Sequence, residues 1–256
     1  MELFDYDNRR AGDGYMSKFS IYPLHVGDLV RPKSNLMYMK FSDVKIQFPL
    51  ICWYITDGEK KIMVDTGGTP PDSRWQPSFR TPEQAPDKAL GRLGVKTEEI
   101  TDVLITHLHW DHCGNNDLFP NAKFYVQRRE MDDMINPCID LFKGSFDREQ
   151  VLKTKYVLLD GDCEFADGIQ VIATPGHSAG SQSVVVDTEA GKYIITGDLI
   201  ALYECMDYEP WVVNGIHINL IEYYNSLNRV KTLGYTVLPG HDIKVLEHSV
   251  YPPKSI

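Results

Sequence analysis

Four side chains that bind metal ions stand within six residues in the segment Thr106-His107-Leu108-His109-Trp110-Asp111-His112-Cys113-Gly114. Imidazole and carboxylate are donors that zinc and similar divalent cations accept readily. The segment follows Val103-Leu104-Ile105, a short apolar run that reads as a buried strand. In extended chain, side chains two apart share a face, so His107 and His109 can grip one ion while a turn presents Asp111 and His112 to another. With only 8 histidines in 256 residues, three of them interleaved with an aspartate is improbable as solvated decoration. Cys113 is a soft donor in principle, but an isolated thiol usually behaves as a small buried hydrophobe.

A complete dinuclear site needs more donors, placed at strand ends where a rigid scaffold aims them. Three candidates stand there, each after a glycine. His177 lies in Ala173-Thr174-Pro175-Gly176-His177-Ser178, Asp198 in Ile195-Thr196-Gly197-Asp198, and His241 in Leu238-Pro239-Gly240-His241-Asp242. Alone, each would more often be a cap or a surface residue. Together they favour ligation.

The elements that must position these groups follow from the pattern of the chain. Val44–Ile55 and Lys61–Val64 read as strands joined through a tight Asp57-Gly58 turn, and 69–81, with Pro70, Pro71 and Pro77, as an irregular segment over a site. Helices are predicted over 83–93, 128–136 and 218–233, the last with Ile218, Ile221, Tyr224, Leu227, Val230 and Leu233 on its apolar face. Further strands are predicted at 103–105, 123–126, 155–159, 169–173, 182–187, 192–196 and 236–238. Strands with helices, twice over, predict a layered α/β/β/α sandwich. No linker divides the chain, so residues 1–256 read as a single domain, with 1–43 supplying N-terminal strands and loop beside the site.

Composition narrows the function classes. The 36 acidic against 26 basic residues give a net charge of −10, which argues against nucleic acid as a partner. The longest apolar stretch, Pro49–Ile55, is far short of the roughly 20 residues of a membrane helix. The acidic start has no export signal, and the five cysteines are odd in number and widely spaced, so reduced thiols in a cytoplasmic protein are expected.

The chain resembles the metallo-β-lactamase superfamily, whose signature is H-x-H-x-D-H followed by a distant His, an Asp and a last His. Within it, the N-acyl-homoserine lactonases are most similar, through Phe48-Pro49-Leu50-Ile51-Cys52-Trp53-Tyr54, Val64-Asp65-Thr66-Gly67, His107 to His112, Gln127-Arg128 with Glu130, Thr174 to Ser178 with Gln182-Ser183, and Gly240-His241-Asp242-Ile243. The resemblance implies the four-layer αβ/βα fold and two zinc ions, other divalent metals being compatible. His107, His109 and His177 would hold one, and Asp111, His112 and His241 the other. Asp198 would bridge, and Asp65 would orient a histidine. Glyoxalase II-like relatives carry a helical C-terminal domain, whereas fifteen residues follow His241 here. True β-lactamases lack the bridging aspartate. Flavodiiron relatives place Glu where His109 stands. The lactonases place a tyrosine three residues after the bridging aspartate. Here that position is Ala201, and Tyr203, two further on, is the candidate replacement.

The implied reaction is opening of a lactone, or hydrolysis of a related carboxylic ester, by a metal-bridging hydroxide, and in the lactonases this activity is quorum quenching. Two Zn²⁺ with Asp111, Asp198 and a hydroxide leave about +1 among neutral imidazoles. Asp111 could pass a proton to the leaving group. The partner is then a small molecule with an apolar part, lined by Leu199–His217 (Tyr203, Met206, Tyr208, Trp211, Ile216) and by Tyr22–Met39 (Leu24, Met37, Met39). The same apolar segments could serve a homodimer contact. His217 reads as helix-start polarity with some reach to substrate, and His25 and His248 carry no pattern. Two alternatives stand beside this reading. One is a phosphodiesterase, or another ester, lactam or thioester hydrolase of the superfamily. The other is a metal-binding or sensory module without catalysis.

Overall fold

The computed structural model describes residues 18–69 and 78–253. Strands β1 (Ser20–Pro32), β2 (Lys45–Thr56), β3 (Lys61–Val64) and β4 (Ser78–Phe79) come first. Helix α1 (Pro86–Gly91) leads to β5 (Asp102–Leu104) and β6 (Lys123–Gln127), then to α2 (Arg128–Ile135), α3 (Arg148–Lys153) and β7 (Tyr156–Leu159). The second half runs β8 (Cys163–Ala166), β9 (Ile169–Ala173), β10 (Gln182–Thr188), β11 (Gly191–Ile195), α4 (Leu220–Leu233) and β12 (Thr236–Leu238). Among the described residues the strands form a seven-stranded sheet, β4-β1-β2-β3-β5-β6-β7, and a five-stranded sheet, β12-β11-β10-β9-β8.

Alternation along the strands builds the layers. On β10, Val184 and Val186 join Ile51, Trp53 and Ile62 of the first sheet in a core between the two sheets. Val185 turns the other way, into the cluster that holds Tyr223, Leu227 and Val230 of α4. Ala89 and Leu90 of α1, Met134 of α2 and Val151 of α3 belong with Val103 and Val126 on the outer side of the first sheet. Helices thus cover both outer faces, and the layer order is αβ/βα as predicted. Gln182 ties the sheets together: its N–H donates to the Thr106 carbonyl at 2.9 Å and its Nε2 to the Ile105 carbonyl at 2.8 Å, just ahead of the histidine motif.

Several elements differ from expectation for local reasons. The predicted Asp57-Gly58 turn is present, with Asp57 Oδ1 accepting from the N–H groups of Glu59 and Lys60. The helix predicted over 83–93 is a 3-10 turn (Pro82–Gln84) and then α1, because Pro86 holds Ala85 extended and starts a new helix. β1 was not legible as a strand of 13 residues: Pro23 and Gly27 interrupt its pattern, and its register against β2 shifts between His25 and Gly27. Strand β8 and helix α3 were also not predicted. Most of the irregular segment, 70–77, lies outside the described residues, while Ser78 and Phe79 pair with Leu29 and Asp28. Helix α4 starts at an Asn219 cap, and its inward residues are Tyr223, Ser226, Leu227 and Val230, whereas Ile221 is 77% exposed. The predicted face was rotated because Tyr223 turns inward, where its hydroxyl has hydrogen-bond partners.

Gly176 packs the loop before His177 directly on α4. A Cβ there would overlap the Cα and backbone nitrogen of Tyr223, and φ is +135°. Gly176→Ala is expected to lower stability by roughly 1–3 kcal/mol, read from the midpoint of urea unfolding. Gly91→Ala, where nothing lies within 4 Å, should not lower that midpoint.

Candidate metal centre

Parallel pairing brings the chemistry to one edge. β3 and β5 run parallel, so Asp65 and the 106–112 segment leave the first sheet side by side. In the second sheet β11 and β12 are parallel, and β9 and β11 both run antiparallel to β10, so the segments carrying His177, Asp198 and His241 leave at one end. There His177 Nε2 lies 3.2 Å from His107 Nε2 and 3.0 Å from His109 Nδ1. Asp198 stands between two groups of imidazoles. Its Oδ2 is 3.3 Å from His177 Nε2, and its Oδ1 is 3.1 Å from His112 Nε2 and 2.8 Å from His241 Nε2. Asp111, half-buried, has Oδ2 4.0 Å from His112 Nε2. Three overlapping sets of donors could each hold a cation: His107, His109 and His177; His107, His112 and Asp198; Asp111, His112 and His241.

The far side of four of the five rings decides what the near side offers. His177 Nδ1 is 2.7 Å from the Ile216 carbonyl and His241 Nδ1 is 2.9 Å from the Pro49 carbonyl. A carbonyl only accepts, so each Nδ1 carries the proton and each Nε2 presents a lone pair inward. His112 Nδ1 is likewise 2.8 Å from Asp65 Oδ2. Thr106 Oγ1 donates to Asp65 Oδ2 at 2.8 Å, which leaves it able to accept from His107 Nδ1 at 3.1 Å. Lone pairs therefore converge on lone pairs, an arrangement that calls for protons or metal cations between them. Consistent with this, His112 Nε2 and Asp198 Oδ1 are buried with no hydrogen bond of acceptable direction despite their 3.1 Å separation. The donor set fits divalent metal ions.

Two carboxylates brace this arrangement. Asp65 takes φ +61°, an uncommon conformation for a residue with a side chain, and from it receives the Thr106 N–H, the Thr106 hydroxyl and His112. Glu130 is fully buried and accepts from the N–H groups of Leu108 and Gly180 and from the Ser178 hydroxyl. It clamps the His107–Asp111 segment to the His177 loop. Burial raises the Glu130 carboxyl, and those donors oppose the rise.

Electrostatics splits the histidines. Burial, then neighbouring imidazoles, pushes His107 and His109 well below the ordinary imidazole value, and burial lowers His177 too. Burial also works against charge on His112 and His241, but the Asp198 carboxylate, joined at His112 by Asp65, holds both above it. Burial alone would raise Asp198, yet His241, His112 and His177 drive it well below the carboxylate range.

A family model, "Metallo-beta-lactamase superfamily", matches residues 51–241. The chain belongs to that superfamily. An N-acyl homoserine lactonase of Bacillus cereus is 30% identical over 219 residues, covering 78% of this chain and 83% of the relative. The N-acyl homoserine lactonase AttM of Azorhizobium caulinodans is 26% identical over 256 residues, covering 89% and 94%. A crystal structure of a Bacillus thuringiensis AiiA variant with N-decanoyl-L-homoserine bound at its active site superposes with a TM-score of 0.78, at 25% identity over 91% of this chain and 96% of that one.

This metallo-beta-lactamase superfamily member departs from expectation around its cavity. A partly open cavity of about 110 Å³ lies beside the cluster. Tyr203 does not line it: the residue opens a 3-10 turn, packs on the core between the sheets and has its phenol beside Tyr251. The expectation that Tyr203 serves the substrate is thereby corrected, and Ala201 is buried in the outer core. Leu24, Met37 and Met39 do not line the cavity either. β1 instead contributes Leu29 and Arg31, followed by Asn35 and Leu36, and the later loop contributes Asn214 and Ile216. His217 binds the Asn214 carbonyl and meets Tyr38 edge to face. The Cys113 thiol donates to the carbonyls of Leu108 and His109, and burial pushes its pKa well up, so it stays a neutral packing group. All five cysteines are unpaired. Two supporting residues were missed. Tyr223 donates to the carbonyls of Asp198 and Leu199, and Asn214 donates to Asp198 at 3.4 Å. Neither carried a local signal, since the predicted apolar stripe of the helix contains Tyr224 and not Tyr223.

Protons and cations compete for the same nitrogens, which sets a sign. Below the raised values of His112 and His241, loading must expel their protons, so metal affinity climbs with pH until those values are passed. Calorimetric zinc titration at about pH 6, in buffers of differing ionisation enthalpy, should report release of about one proton or more per chain. Uptake without proton release contradicts the assignment. Asp65→Ala should weaken metal binding about 10–100-fold in a chelator competition, and Tyr203→Phe should leave it unchanged.

Proposed function

We propose that this chain is a single-domain dinuclear zinc hydrolase that opens lactones of the N-acyl-homoserine type or closely related carboxylic esters, and so acts in quorum quenching. The observation that carries the reading is the placement of Asp198 between two groups of imidazoles, each of its oxygens facing one group. The lactonase names of its relatives, one of them 30% identical, support the substrate class. In this reading His107, His109 and His177 hold one zinc, Asp111, His112 and His241 the other, and Asp198 bridges. Unpaired cysteines support a cytoplasmic setting. Among the described residues no helix is long and apolar enough to cross a membrane.

Zinc ions so held would supply an activated water and Lewis acids for the substrate carbonyl. The chain's own groups do the rest. Asp65, Pro49 and Ile216 hold the Nδ1 protons and so aim each Nε2 inward, and Asp111 at the cavity wall can carry a proton to the departing alkoxide. With Tyr203 turned away, no tyrosine lines the cavity among the described residues, and Asn214 is a lining amide that can donate to a substrate carbonyl beside any bound metal.

A hydrolysis panel in a lightly buffered pH indicator tests this, with N-acyl-homoserine lactones, simple lactones, aryl esters, lactams and bis-aryl phosphates offered to zinc-loaded and chelated protein. Lactones should lead, and chelation should abolish their turnover. Aryl phosphates outrunning every lactone would establish the phosphodiesterase instead. His177→Ala should lower kcat/KM for the best lactone by at least about a hundredfold, and Tyr203→Phe by less than about twofold.

A further inference from the structure

Arg31 stands near the end of β1, opposite Ile46 of β2. Successive residues of a strand alternate between faces. Leu29 is buried in the outer core, Val30 is 37% exposed, and Arg31 returns to the side of Leu29, where both line the cavity beside His109 and Asp198. The guanidinium makes one protein hydrogen bond, from Nη1 to the adjacent Val30 carbonyl at 2.9 Å. Among the described residues no carboxylate pairs with it. Other basic side chains differ: nearby Lys33 is tied to Glu204, and elsewhere Arg128, Arg129 and Arg229 pair with Asp160, Glu222 and Asp162.

The guanidinium is reached by solvent, and most of its five donors are uncommitted within the protein, so they are open to an acceptor that enters the cavity. Asp111 and Asp198 share the cavity but face the histidines. Cations held there would neutralise those carboxylates, leaving a net positive chamber in a chain of charge −10. Asn35 and Ser145 add polar groups to the same wall. The cavity, about 110 Å³, is partly open to solvent and has room for a small ring with its substituent toward Arg31.

We infer that Arg31 is a specificity-determining residue that receives an anionic oxygen group of the substrate, so that the preferred substrate is a compact lactone or ester bearing a carboxylate or phosphoryl substituent. This rests on the hydrolytic reading above and narrows it to anion-bearing lactones and esters, so that a neutral N-acyl-homoserine lactone would be turned over but not preferred. The guanidinium fork matches either group, and its distance from the reacting carbonyl is set by the cavity wall.

The test compares binding of butyrate, glutarate and 3-phosphonopropionate to zinc-loaded wild type, Arg31→Met, Arg31→Gln and Arg31→Lys by calorimetry. Each ligand has one carboxylate for the metals, so the ratio to butyrate isolates the second anion. Wild type should bind glutarate or the phosphonate on the order of tenfold tighter than butyrate, the Met and Gln variants should erase that ratio, and Lys should restore part of it. The stronger of the two ligands names the substituent. In turnover, a γ-lactone with a terminal carboxylate should beat its neutral methyl ester in wild type and lose that advantage in Arg31→Met. A wild-type ratio near one, or a ratio unchanged in folded Met and Gln variants, overturns the inference. If no lactone is turned over at all, the hydrolase reading falls, while the binding ratios still decide the role of Arg31.

Discussion

Lone pairs repel, and this protein gathers them. The convergence of His107, His109, His177, His112 and His241 on Asp198 is the constraint around which the surrounding hydrogen bonds are organised. Such a cluster survives only if the rings cannot rotate away and their protons are pinned on the far side. The carbonyls of Pro49 and Ile216 and the carboxylate of Asp65 do that pinning. Each belongs to a different part of the chain, so the tautomers of the site are properties of the assembled fold. The positive φ of Asp65 is the local strain that accompanies this arrangement.

The two sheets serve the same end. Their shared core is apolar and alternates cleanly, but at the edge where the donors leave, the contacts between the halves become polar. Gln182 binds the carbonyls of Ile105 and Thr106, and buried Glu130 joins the motif segment to the loop of His177. A slip of one half against the other would break these bonds and misalign the donors together. Rigidity at this edge is therefore bound up with the chemistry.

Much of this was legible because it is local or periodic. The cluster His107 to His112, the glycine before each of His177, Asp198 and His241, and the alternating strands around Val184 and Ile194 carry their signal within a few residues. Where the reading failed, a distant partner had overridden the local pattern. Helix α4 shows Tyr223 inward because carbonyls at Asp198 and Leu199 need its hydroxyl, and no periodicity within the helix reports that. β1 was obscured by Pro23, Gly27 and a register shift that only its partner strand makes sensible. Tyr203 looked suited to the cleft by its sequence distance from Asp198, yet the turn it opens carries it to Tyr251.

By itself, the amino-acid order determined the donor types, their number and the strands that end at them, since ligand chemistry resides in side chains and strand patterns repeat every two residues. Only tertiary structure decided which oxygen of Asp198 faces which imidazoles, which nitrogen of each braced ring is free, and that Arg31 rather than Met39 enters the cavity. Those are matters of direction in space. Direction is set by packing between segments as far apart as Pro49 and His241, whose separation of 192 residues no local pattern can bridge.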